Sequence, residues 1–588
     1  MHRITSLNTA TRSAATTIAL ALTVASPALG QRGGFGGGAP ATPGYPNPPA
    51  LSFPTDDPII KHIWAMGMDS SQVKRWSQVL FDSLGPRLMG APNTRAAQDW
   101  LIKSYSTFGV PAKLEQYGTW RGWIRGHSHI DLIAPRQRTL EGTMVGYSPG
   151  TGSKDVDADP IVLPQFADSN AFVAWLPQAK GKLVMVSAPH ETCRPTSDWI
   201  ANGYPEEIAR KDSVARALAA GFTGGRGGTR GTGYSVSLGG GSLSQRLDKA
   251  GVAGLITSRP KDAFGTMEIF ETYSTTVPTI ALSCEDYGLV FRLTENGQHP
   301  KLRLNLEGRL LGEQPVFNVA ARIEGGAKKN EYVLLSSHFD SWDGSSGATD
   351  NGTGTITMLE AMRILQRVLP HPTRTIVAGH WTGEEEGEVG SKAFSEDHPE
   401  ITKNLQALFN QDNGTGRVVR VGAGGLPSGA EHLTQWLGKL PNVFQAQVGF
   451  NGQPVAPGGP AGGGSDDYSF SCYGAPTFGL GALGWDYSNI TWHTDRDTYD
   501  KVVFDDLKSN ATLTAMLVYL ASEDPGKVTS ISPDSARAVT NKMLDSIAKA
   551  GGAPAAVGGR GGRGGFGGPR PWPTCEKAPR VTNPRLGG

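Results

Sequence analysis

At 588 residues the chain is long enough for two or three domains and a large core, which excludes a short scaffold held together by disulfides. Its 78 glycines and 40 prolines make up about a fifth of it, against roughly 12% in average usage, so part of the sequence is low-complexity. Fifty-five basic residues against 54 acidic ones leave a net charge of +1, and no whole-chain field draws it to nucleic acid or to an anionic membrane.

Arg3 and Arg12 flank a polar start, and Ala14 to Ser26 is an apolar stretch ending in Pro27-Ala28-Leu29-Gly30. This pattern predicts a secretory signal peptide over 1–30 and hence a secreted or periplasmic protein. The stretch is shorter than the roughly 20 residues a spanning helix needs. No later window offers a membrane span for the mature chain. Residues 31–54 read as a Gly/Pro-rich linker, and 549–588 as a Gly/Arg/Pro-rich tail. Arg-Gly-Gly runs occur in both and again at Gly221 to Gly233. Such runs bind single-stranded nucleic acid in some proteins, but these are short and the chain is near neutral, so linker or loop is the reading and no nucleic-acid partner is expected.

Residues 55–139 form the N-terminal part of the main domain and are helical at first. Ser71 to Ser83 is one helical pattern and Thr94 to Phe108 another, with Ala97, Leu101, Tyr105 and Phe108 on one face and Gly85-Pro86-Arg87 breaking between them. Residues 140–310 carry short β-type runs, KLVMVSA, GVAGLITS and TVPTIALS, separated by Gly-rich loops and a helix near Glu206 to Ala220. They read as a separate inserted module. Four cysteines, Cys193, Cys284, Cys472 and Cys575, allow three full pairings, with Cys284 and Cys472 either buried singles or a bridge. No CxxC pair occurs, which argues against a cysteine zinc site.

Over 311–548 strands alternate with helices: YVLLSSHF at 332, a helix from about Thr353 to Leu369, TIVAGHWT at 375, and LQALFNQD at 405. Such alternation predicts a parallel or mixed sheet with helices on both faces, whose ligand sites lie beyond the carboxyl ends of the strands. Each of these strands ends in metal-type ligands: His338 with Asp340, Glu384-Glu385-Glu386, and Asp412. Asp350 sits just before the helix, and His493 follows far downstream in Trp492-His493-Thr494. Carboxylates gathered at an apolar sheet edge repel and become protonated unless cations neutralise them, so divalent metal is expected. Two ions roughly 3.5 to 4 Å apart need a shared carboxylate, and Asp350 is the natural bridge.

The strings HFDSWDGSSGATDNGTG, WTGEEEGEVGS, FNQDNGTG, GSDDYSF and WHTDRDTYD stand in order over these residues. Together they resemble the di-zinc aminopeptidase and carboxypeptidase family. GPRLMGAP near Gly85 and RGW at Arg121 extend the resemblance outward. It implies the α/β/α sandwich of the zinc exopeptidase fold with a mixed sheet, and a β-rich protease-associated-like domain over 140–310. It further implies two Zn²⁺ as cofactors, with His338 and Asp412 on one, Glu385 and His493 on the other, and Asp350 bridging. Glu384 becomes the general base, Asp340 orients His338, and the Asp350-Asn351 peptide is cis. Hydrolysis of dipeptides or short peptides in the manner of a dipeptidase or carboxypeptidase follows from the resemblance. An aminopeptidase is the alternative, a catalytically dead receptor a remoter one, and a homodimer the assembly the family allows.

Two positions depart from the family pattern. Glu388 stands where relatives carry Leu or a small residue, and Trp492 stands where some carry a Tyr that polarises the scissile carbonyl. The oxyanion donor is therefore unassigned. Arg417 and Arg496 are candidates to bind a substrate carboxylate, and Glu386 and Asp467 to bind an amine. Asp343, Asp466 and Asp467 otherwise read as solvated loop acids, His127 and His129 as surface groups, and His380 and Trp381 as packing. Gly146 to Gly150 matches G-x-S-x-G, but Pro149 after Ser148 has no N–H to lend to an oxyanion hole.

Overall fold

The computed structural model describes residues 46–582 apart from 167, 212, 214–242, 462, 533, 536 and 539–571. The expected signal peptide, most of the 31–54 linker, and the Gly-rich runs at 221–233 and 551–568 lie outside the described residues, as does the second half of the helix expected over 206–220.

The strands in chain order begin with β1 (Ala112–Ala134), β2 (Arg138–Thr139), β3 (Gly142–Met144), β4 (Val156–Ala158), β5 (Pro160–Val162), β6 (Leu183–Met185), β7 (Gly254–Thr257) and β8 (Thr279–Leu282). They continue with β9 (Lys301–Ile323), β10 (Lys328–His338), β11 (Arg374–Trp381), β12 (Leu405–Asn410), β13 (Val418–Val421) and β14 (Thr477–Ala482). The larger sheet runs in the order β13-β14-β12-β10-β11-β9-β1-β2, with β4 also on β9. Its centre is parallel, β11 and β12 flanking β10 and β14 following β12. Its margins are antiparallel. This is the mixed α/β sandwich expected.

Strands β11 and β12 are buried along their whole length, and β10 from Tyr332 onward, because both faces are covered. On β10, Val333 and Leu335 point into a core with Ile356 and Leu359 of the helix Thr353–Val368 and Met516 and Leu520 of the helix Phe504–Glu523. The alternate residue Leu334 packs on the other face with Val377, Leu408 and Phe394. Period-two alternation thus divides one strand between two cores.

A second sheet, β3-β8-β7-β6-β5, lies within the stretch expected to be an inserted module and has a core of its own around Phe172, Leu247 and Leu255. The sequence reading missed what connects the two sheets. Strands β1 and β9 form one antiparallel ribbon, paired from Ala112 with Ala321 to Ala134 with Lys301. Through β9 this ribbon crosses the boundary expected at residue 310, and its outer residues Ile130, Leu132, Leu302 and Leu304 pack with Met144 and Leu282 of the small sheet.

Two disulfides close the described residues, Cys193–Cys284 and Cys472–Cys575. Cys284 and Cys472 are therefore neither singles nor partners of one another. The second bridge ties down residues 572–582, so part of the stretch read as a low-complexity tail is docked: Trp572 is buried and Arg580 pairs with Glu396 and Asp397.

Arg374, buried at the start of β11, binds the end of the helix Phe504–Glu523. Its Nη1 donates to the carbonyls of Ala521 and Ser522 at 3.3 and 3.1 Å, its Nη2 to that of Gly526 at 2.6 Å, and its Nε pairs with Glu331 at 2.7 Å. A cation here satisfies helix-terminal carbonyls that have no partner within the helix. Arg374→Gln is expected to destabilise the protein by about 3 kcal/mol, because it leaves buried acceptors and Glu331 unpaired. A lowered urea midpoint at unchanged slope checks this.

Candidate metal centre

The parallel strands deliver their ends to one rim. His338 is the last residue of β10, Glu384 and Glu385 follow β11, and Asp412 follows β12. Asp350 lies in the turn leading into the helix Thr353–Val368, and His493 follows a turn at Tyr487–Thr491. Residues far apart in the chain meet there at contact distance. His338 Nε2 is 3.3 Å from Asp350 Oδ1 and 3.2 Å from Asp412 Oδ1. His493 Nε2 is 3.2 Å from Asp350 Oδ2 and 2.9 Å from Glu385 Oε2. Two triads of ligand atoms thus share Asp350, one oxygen each. Glu384 also falls within 4.8 Å of His338 and Asp412 in ligand-atom separation.

The Asp350-Asn351 peptide is cis, as the resemblance implies. Asp497 holds this turn, its carboxylate accepting from the backbone N–H of Thr349 at 2.7 Å and of Asp350 at 2.9 Å. Arg87 holds the preceding loop, donating to the carbonyls of Phe339, Ser346 and Gly347 at 2.6, 2.9 and 2.8 Å. Neither residue was singled out from the sequence, although each lies inside a string that carries the resemblance.

Asp340 meets His338 chiefly through its main chain, its carboxylate standing 3.8 Å from Nδ1. Its backbone carbonyl, 3.0 Å from His338 Nδ1, orients the imidazole. The carboxylate instead accepts from the N–H groups of Glu384 and Glu385 at 3.2 and 3.4 Å and fixes the acidic turn.

Asp466 is not a solvated loop acid. It is fully buried, and His338, Ser391, Asp412 and Asp340 act on its carboxyl. Asp343 is also buried and pairs with Arg125, whereas Asp467 is partly exposed. Arg417 pairs with Asp506 at 3.0 Å, and Arg496 with Glu141 and Asp495, so both are held by acids of the protein itself. Trp492 stacks on His493 with ring centroids 3.8 Å apart. Tyr487, unnoticed in the sequence, neighbours the cluster: burial, Asp350 and Asp412 push its hydroxyl pKa up. The G-x-S-x-G serine is buried, its hydroxyl accepting from the Thr279 N–H. His127 and His129 pair with Glu307 and Asp131 at the surface, and His380 is buried against the Tyr105 hydroxyl.

Electrostatics test whether these residues suit metal. Burial raises the Glu384 carboxyl pKa, with Asp412, Glu385 and Glu388 adding to it against His338. Burial likewise lifts Asp340 to about 7, against the pull of His338. Burial disfavours the His493 cation, yet Glu385 and Asp350 raise it to about 9. The site gathers an excess of buried carboxyl groups around two imidazoles, and those carboxylates favour the protonated rings. Cations in place of those protons satisfy the same donors. Tetrahedral zinc with bonds of roughly 2.0–2.1 Å has ligands about 3.3 Å apart. The four distances here run from 2.9 to 3.3 Å, so the donor set fits.

Comparison with known proteins agrees. Residues 318–518 match the model of Peptidase family M28. Carboxypeptidase Q of Rattus norvegicus is 25% identical over 340 residues, covering 57% of this chain and 63% of that protein, so the match spans less than two thirds of the relative's length. Leucine aminopeptidase 1 of Coccidioides posadasii is 28% identical over 216 residues, 34% of this chain and 55% of that protein. A peptidase M28 precursor from Shewanella amazonensis has the same fold, with a TM-score of 0.57 at 22% identity over 81% of this chain and 98% of that one. The stretch that matches this family, 318–518, holds every residue of the rim.

The metal-free protein should lose stability as pH rises. Asp340 binds its proton up to about pH 7 when folded and His493 up to about pH 9, each above its ordinary value, so the folded chain holds more protons than the unfolded chain across roughly pH 4–9. Thermal melts of chelator-treated protein are expected several degrees lower at pH 8 than at pH 5. Added zinc should reverse most of that loss, and a melting temperature independent of zinc would contradict the reading.

Proposed function

We propose that this chain is an exported di-zinc exopeptidase that hydrolyses dipeptides or short peptides, with Glu384 as general base. The observation that carries the proposal is the pair of triads sharing Asp350. His338 and Asp412 would hold one zinc and Glu385 and His493 the other, with Asp350 shared between them. Ions held there supply a water acidic enough to attack at neutral pH and a positive field for the developing oxyanion.

The protein's own groups do the rest. Glu384 adjoins a ligand and its turn is pinned by the Asp340 carboxylate, so base and ligand are held as one unit. It takes the proton of the attacking water and passes it to the departing nitrogen, which leaves poorly as an anion. His338 is kept in one ring orientation by the Asp340 carbonyl. Asp497 and Arg87 hold the loops that present Asp350.

Two disulfides support the export reading, since such bridges persist in oxidising compartments. No helix among the described residues is long and apolar enough to cross a membrane. Residues 140–310, with a sheet and core of their own, are proposed as a protease-associated-like domain.

Glu384→Gln should retain two zinc ions per chain by elemental analysis while turnover of dipeptides falls about 10³-fold or more. Asp350→Asn should lose both activity and metal, because neither triad is complete without it. Full activity in the Gln variant would exclude Glu384 as the base.

A further inference from the structure

Arg121 on β1 holds its guanidinium between two aromatic rings, 3.9 Å from the centroid of Tyr147 and 4.4 Å from that of Tyr273. Nη1 donates to the Thr272 carbonyl at 2.7 Å. Nε and Nη2 are buried and make no hydrogen bond, and among the described residues no acid forms an ion pair with this side chain. The contrast with Arg87 and Arg374 is plain, since both spend every guanidinium nitrogen on carbonyl or carboxylate oxygens.

A buried donor without an acceptor costs about 1–3 kcal/mol, and more when it is charged. Both rings lie against the Arg121 guanidinium, and the part of it left without an acceptor is its in-plane Nε/Nη2 edge. That edge, Nε with Nη2, is a pair of parallel donors whose spacing matches the two oxygens of a carboxylate.

Its place in the fold relates it to the metal-type rim. The Tyr147 hydroxyl donates to the Met89 carbonyl at 2.8 Å, and the Met89 sulfur lies against Gly383, next to Glu384. On the other side Thr272 follows Phe270, whose ring centroid is 5.1 Å from that of His493. Arg121 is therefore linked by contact to both sides of the cluster. Arg417 and Arg496, the cations the sequence suggested for this task, are already paired with acids of the protein.

We propose that the Nε/Nη2 edge of Arg121 receives the free α-carboxylate of a short peptide whose scissile bond lies at the Asp350 cluster. The inference rests on the peptidase reading and narrows it to substrates with a free carboxyl end.

Calorimetry on the zinc-loaded full chain with N-acetyl-leucine and N-acetyl-leucinamide tests it without turnover. The wild type should bind the acid at least tenfold more tightly than the amide. Arg121→Gln should erase that preference while leaving amide binding unchanged. Arg121→Lys, which keeps the charge between the rings but not the fork, should reduce it several-fold and covers the case in which the Gln variant fails to fold. Equal binding of acid and amide by the wild type overturns the proposal. So does an undiminished preference in either variant, since the metal ions alone would then account for it. Dipeptide turnover measured alongside separates the two ideas: an Arg121-dependent acid preference without hydrolysis defeats the peptidase reading and upholds the carboxylate site, and hydrolysis with no acid preference does the reverse.

Discussion

The dominant physical constraint in this protein is the crowding of buried carboxyl groups at one rim of a parallel sheet. Asp340, Asp350, Glu384, Glu385 and Asp466 are all buried there, and among the described residues His338, His493 and the buried Arg87 guanidinium bring positive charge to them. In a low-dielectric interior such groups repel or take up protons. The surrounding structure works against that tendency with fixed donors rather than with mobile counter-charges. Backbone N–H groups point at Asp340 and Asp497, and Arg87 spends its guanidinium on the carbonyls of the loops that present the acids. The loops that present the acids are thus held by hydrogen bonds from the protein itself.

The sheet explains why the acids meet at all. Parallel strands bring successive carboxyl ends to the same edge, and β10, the central strand of the three, is hydrogen-bonded to β11 and β12 on its two sides. Its apolar residues divide between two cores, so a shift by one residue would exchange the faces and move His338 off the rim. The same packing that stabilises the fold therefore sets the position of the ligand. In the loops there is more freedom, and it is there that extra donors such as Asp497 are found.

How much of this was legible in the sequence follows from the range of the interactions concerned. His338, Glu384, Glu385 and Asp412 were legible because each ends an apolar run, and strand direction is a local property. The burial of Asp466 was not, since GGGSDDYSF gives no periodicity and its enclosure depends on loops from elsewhere in the chain. Arg87 and Asp497 were hidden for a similar reason: their partners are backbone carbonyls and amides, which leave no trace in residue type. Asp340 lies beside His338, and its second task, fixing the acidic turn, rests on backbone amides and so leaves no trace in residue type. The 23-residue strands β1 and β9 escaped notice because glycines at 118, 122, 126, 308 and 312 interrupt their patterns, while the pairing that makes them one ribbon joins segments far apart in sequence.

Glu388 shows how a departure from the family pattern is accommodated. The residue is buried with φ of 56°, a left-handed conformation uncommon outside glycine, and its N–H donates to the Glu384 carbonyl at 2.9 Å. A further buried acid beside the base would worsen the crowding if it stood alone. It does not: Lys392, one helical turn on, pairs with it at 3.3 Å and also donates to the Gly387 carbonyl at 3.0 Å. Lys392 in turn is held by Glu576 at 2.9 Å, next to the cysteine that ties the C-terminal segment to Cys472. The added acid thus comes with its own cation, and that cation is tied to a docked segment near the end of the chain. Breaking such a buried pair from one side costs far more than the pair contributes, because the remaining charge is left uncompensated. Glu388 and Lys392 are accordingly tolerable together and poorly tolerable apart, and the docked 572–582 segment belongs to the same electrostatic unit as the turn that carries Glu384.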